Sequence, residues 1–167
     1  MRRMIAMPRI CTGMLMILSV SVSAQNQVKT FYDVSKRRPK EEYAVSAEDN
    51  ETIQGKYKRY YINGKIEMEG AFIDGKRSGT FLEYEENGIL RRKISYVNGL
   101  RHGPVDVFDD KGKRAQRAYY HNNLLVDSVK SFFETGILKN ETYFVKGKPE
   151  GLVREFYPSG KLRKEIM

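Results

Sequence analysis

Residues Gly79–His102 read GTFLEYEENGILRRKISYVNGLRH, and this block recurs along the chain at one spacing. Its opening glycine has counterparts at Gly55, Gly103 and Gly151, and Asp127 holds the place in the one unit that lacks it, so each step is 24 residues. A second glycine recurs at Gly64, Gly88, Gly112, Gly136 and Gly160. A constant period of this size marks a repeat array, in which each unit buries its apolar side against its neighbours.

Each unit reads as two short strands. The first runs over Thr80 to Tyr84 and the second over Leu90 to Val97. Between them lies Glu85-Glu86-Asn87-Gly88, whose glycine supplies the positive φ of a turn followed by a bulge. Val97-Asn98-Gly99 makes the second turn, with Asn123 in place of glycine once. A helix would have to accept a glycine every ten or so residues, at about 1 kcal/mol each. The expected fold is therefore all-β: an elongated, single-layer antiparallel meander of successive hairpins.

Opposing Tyr84 to Leu90 across the turn, Leu82 to Arg92 and Thr80 to Ile94 assigns the faces, because side chains alternate along a strand. On this register Tyr84, Leu90, Ile94 and Tyr96 share the packed side. Two columns through the units are aromatic throughout: Tyr60, Tyr84, Phe108, Phe132 and Phe156, and Phe72, Tyr96, Tyr120 and Phe144. They are expected to be structural, each covered side chain contributing about 1.5–3 kcal/mol. The opposite side carries Phe81 in a thinner stripe flanked by charge. Its candidate partner surface is Phe81, Arg91, Lys93, Arg117, Lys139 and Arg163.

These residues resemble a known family. Phe81 to Gly88 followed by Lys93 to Gly99 is similar to the bacterial variant of the MORN repeat, as in YwqK-type antitoxin repeat proteins. The resemblance covers Gly55 to Met167 well and Thr30 to Tyr43 loosely. It implies an antiparallel sheet of hairpins and an interaction or scaffold role. Asp127, Asn123 and Arg114 depart from the pattern.

Residues 1–24 read as an export signal: Arg2, Arg3 and Arg9, then an uncharged run from Ile10 to Val22, then Val22-Ser23-Ala24 before a cut at Gln25. Residues 25–54 read as a degenerate first repeat with a polar loop, and 55–167 as five repeats with the last truncated. The signal holds the only cysteine, Cys11, and three arginines with no acid, so processing lowers the formal charge from +9 to about +6 and leaves no thiol. This moderate surplus permits attraction to anionic surfaces and points away from nucleic acid.

No catalytic constellation stands out. His102 and His121 lie at different phases of the repeat, so no metal site is expected. Asp106, Asp109, Asp110 and Asp127 cluster, but a single layer of hairpins offers no cleft between paired carboxylates. The glycines have no following helix to form a phosphate loop. No cofactor is expected. The function expected is that of an exported, periplasmic, cell-surface or secreted repeat protein without catalysis, binding another protein or acting as an envelope scaffold. The alternatives are an antitoxin-like or immunity-like protein, and a glycan or lipid binder using the aromatic columns.

Overall fold

Two kinds of turn cut the chain into strands of regular length. At the first, Glu85 N–H donates to the Ile89 carbonyl at 2.9 Å and Gly88 N–H to the Glu85 carbonyl at 2.7 Å, with Gly88 at φ 94°. The second has two central residues at positive φ, Asn98 at 51° and Gly99 at 80°, with Val97 opposing Leu100. That is the two-residue hairpin whose twist matches the flanking strands. Asn122 and Asn123 adopt the same conformation without a glycine, at 49° and 68°.

The computed structural model describes residues 25–167, so the proposed signal at 1–24 lies outside the described residues. The strands are β1 (Gln25–Phe31), β2 (Pro39–Ser46), β3 (Ile53–Tyr60), β4 (Ile66–Ile73), β5 (Lys76–Tyr84) and β6 (Leu90–Val97). They continue as β7 (Leu100–Phe108), β8 (Arg114–His121), β9 (Leu124–Phe132), β10 (Leu138–Val145), β11 (Lys148–Phe156) and β12 (Leu162–Ile166). All twelve form one antiparallel sheet in sequence order, and no helix occurs among the described residues. The all-β meander of hairpins is the fold. β1 and β2 pair as a hairpin, and Lys36, aligned with the second glycine, turns at φ 56°.

The faces differ from the sequence expectation. Tyr84 does oppose Leu90, but Glu83 opposes Arg92, Leu82 opposes Lys93 and Phe81 opposes Ile94. A bulge makes Arg91 the extra residue, and one extra residue reverses the parity of everything beyond it. The same shift follows Arg59, Val107 and Glu155. Phe81 therefore lies on the packed side and is fully buried, at 0% exposure. Tyr84 and Leu90 lie on the opposite, charged side. The two aromatic columns are split between the faces.

On the packed side five rings from successive strands form a ladder: Tyr43, Tyr57, Phe72, Phe81 and Tyr96. Their centroids are 6.2, 5.3, 5.5 and 5.3 Å apart, the last three contacts edge-on. Such contacts add to the area buried. Three rings of the second column oppose the leading glycine of their unit, Phe72 with Gly55, Tyr96 with Gly79 and Tyr120 with Gly103, whereas Phe144 opposes Asp127. Beyond β6 the centre of this face narrows to Val105, Ala118, Val129 and Thr142.

On the other side one row of opposed residues crosses every strand. It runs Lys29, Glu42, Lys58, Glu69, Leu82, Lys93, Asp106, Arg117, Lys130, Glu141, Arg154, Glu165. Signs alternate except at Leu82 and at the like pair Arg117–Lys130. Cross-strand neighbours of opposite charge attract, so the row favours this register over a slipped one.

Candidate partner surface

Most charges of the row are satisfied within it. Asp106, only 4% exposed, accepts from Arg117 Nε at 2.7 Å and Nη2 at 2.8 Å, and its Oδ1 lies 3.0 Å from Arg114 Nε. Arg114 departs from the apolar column of Leu90 and Leu138, and Asp106 stands where the preceding unit has Leu82. The two departures answer each other. Asp106, by its hydrogen bond, holds the Arg117 guanidinium further into its protonated range. Glu141 lies 3.2 Å from Lys130 Nζ and 3.8 Å from Arg154 Nη1.

Tyrosines of both faces donate to carboxylates of the preceding hairpin. Tyr57 bonds Glu41 at 2.7 Å, Tyr60 bonds Glu42 at 2.7 Å and Tyr84 bonds Glu69 at 2.8 Å. Burial, and then the adjacent carboxylate, push all three phenols up to about 12. Glu42 is held below the usual carboxylate range, chiefly by Lys29 and then by Tyr60.

The proposed surface residues do not converge. Phe81 is withdrawn from it altogether, a correction that follows from the bulge. Arg91, the bulge residue, lies 3.2 Å from Glu85. Lys93 is exposed in the charged row, whereas Arg117 is half-buried and engaged by Asp106. Lys139 Nζ lies 5.8 Å from the Phe133 ring centre and Arg163 Cζ 5.9 Å from that of Tyr157. Lys139 and Arg163 are one unit apart, beside successive first turns.

A different cluster sits where strands leave the second turns on the packed side. Arg77 Cζ lies 5.0 Å from the Phe81 ring centre and 5.3 Å from that of Tyr96, and Arg77 Nη1 donates to the Tyr96 hydroxyl at 3.0 Å. Arg101, one unit on, lies 4.2 Å over the Tyr120 ring. An open groove of about 470 Å³ is lined by Phe72, Lys76, Arg77, Tyr96, Arg101 and Asn123 among others. Among the described residues, no carboxylate forms an ion pair with Lys76, Arg77 or Arg101. The sequence signal was the 24-residue repeat of an arginine two places after the turn.

The family model described as MORN repeat variant matches residues 53–74, 77–98 and 149–167. The match supports the MORN repeat family for these units, each a hairpin that begins at or near a strand start in β3, β5 or β11. No curated protein matches the chain. MORN repeats are in general non-catalytic interaction modules. Among the described residues there is no group of three or more His, Cys, Asp or Glu placed to hold a metal, and no helix long and apolar enough to cross a membrane.

Proposed function

We propose that the chain is an exported, non-catalytic scaffold that holds an acidic segment of a partner protein in the groove between the second turns. One contrast carries the reading. Cations of the charged row are largely neutralised by neighbouring strands, whereas Arg77 and Arg101 lie over aromatic rings without a carboxylate. One strand, β6, lies between theirs, so they stand two strand spacings apart, about 9.5 Å of sheet. An acidic segment crossing the groove meets two guanidinium groups and ring surface together, the combination that anchors interfaces. The MORN-type repeats and the proposed signal add to the reading. A toxin neutralised by this scaffold would be one such partner, and growth rescue on co-expression is its assay.

The test is capture from the envelope fraction by the mature chain carrying a terminal tag. Capture of a discrete protein is expected to weaken with salt, to be lost in the Arg77→Glu/Arg101→Glu double variant, and to persist in Lys139→Glu. Capture indifferent to the double variant overturns the groove. Binding to vesicles of anionic phospholipid, with no protein captured, assigns it to head groups instead.

A further inference from the structure

His102 and His121 are 19 residues apart and share no phase of the repeat, yet β7 and β8 bring them together. Each lies one place beyond the opposed pair Gly103 and Tyr120, on the side of the charged row. Their ring centres are 4.7 Å apart with the planes tilted by 52°. His102 is half-buried and His121 exposed. His102 Nδ1 lies 3.3 Å from the Asn122 amide oxygen. An amide oxygen only accepts, so Nδ1 carries the proton and the lone pair of His102 is left on Nε2.

We propose that His102 and His121 form a two-imidazole site for a divalent transition-metal ion, with Cu(II) bound more tightly than Zn(II). A metal–nitrogen bond of about 2.0–2.1 Å puts each ring centre about 3.2 Å from the ion, so two imidazoles on one ion at about 90–110° have centres about 4.5–5.2 Å apart. The observed separation falls inside that span. Asn122 supplies the second element of a metal-binding imidazole, an acceptor on the far ring nitrogen that fixes tautomer and orientation. Imidazole suits Cu(II), Ni(II) and Zn(II), and the order of affinities puts Cu(II) first. With two ligands from the chain, the remaining positions are open to water or to a donor from another molecule. β7 pairs antiparallel with β8, which sets the two rings on adjacent strands, and Asn122 and Asn123, at positive φ, turn the chain into β9 directly after His121.

The experiment uses the mature chain without a histidine tag, titrated with CuCl2 and separately with ZnCl2. It is followed by calorimetry, by visible absorbance for Cu(II), and by the shift of the thermal unfolding midpoint. One equivalent is expected to bind and to raise the midpoint, since the ion binds the folded arrangement. His102→Asn and His121→Asn are each expected to weaken binding at least tenfold, with unfolding in chelator unchanged. Asn122→Gly, which keeps the positive φ and removes the amide oxygen, is expected to weaken it about tenfold. Binding unchanged in both histidine variants overturns the site, as does the absence of saturable binding in the unsubstituted chain. Loss in only one histidine variant also overturns it, because a single imidazole would then hold the ion.

Discussion

Gly70 and the Phe81 ring share one space: a methyl group placed on Gly70 would fall 2.7 Å from the ring atoms Cδ1, Cδ2 and Cε1. Gly70 does not have a positive φ, so packing rather than backbone conformation calls for glycine there. In the next unit Ile94 holds this place, and the following strand opposes it with Val105, a smaller side chain than Phe81. Gly70→Ala is expected to cost about 1–3 kcal/mol through overpacking. Phe81→Ala is expected to cost about 3–5 kcal/mol. Tyr84→Ala, on the other face and half-exposed, is expected to cost markedly less. Denaturant unfolding of the three variants checks the face assignment directly. Equal losses at Phe81 and Tyr84 would contradict it.

Asp106 and Arg114 are expected to be coupled. Asp106→Leu alone leaves Arg114 and Arg117 without their shared carboxylate and is expected to cost about 1–3 kcal/mol. Adding Arg114→Leu recreates the Leu82 and Leu90 arrangement of the preceding unit. A double-mutant cycle is expected to recover about 1 kcal/mol or more. Additive losses would mean that the two departures are independent.

Alkaline pH is expected to weaken the fold. Tyr57, Tyr60 and Tyr84 ionise near pH 12 when folded and near pH 10 when unfolded. Between those values the unfolded chain has lost protons that the folded chain retains, so stability falls as pH rises. The contribution is intact below about pH 10 and falls progressively towards about pH 12. Unfolding curves across this window, with tyrosinate absorbance as a second signal, test the sign. Glu69→Gln is expected to bring the Tyr84 titration down, and a midpoint that does not move would remove Glu69 as a cause.

Deleting Gly103 to Val126 removes one period and joins His102 to Asp127 in phase. The shortened array is expected to stay folded, with a smaller denaturant slope in proportion to the surface lost. Loss of the β signal in circular dichroism would show that the units are not interchangeable modules.

Period, turns and strand class were set by the sequence, because each rests on chemistry local to a few residues. Gly88 and Asn98-Gly99 turn the chain wherever they occur, and alternation between them makes strands. The charged positions at Glu69, Lys93, Arg117, Glu141 and Glu165 were legible as one column for the same reason. Only the tertiary structure decided which side Phe81 faces. That depends on which residue is extra when β5 pairs with β6, and a strand read alone carries no mark of its partner's register. The meeting of His102 with His121, and the placing of Arg77 over Tyr96 and of Arg101 over Tyr120 without a carboxylate, likewise exist only once the strands pair. Period follows from local conformation, whereas parity and proximity follow from pairing between strands.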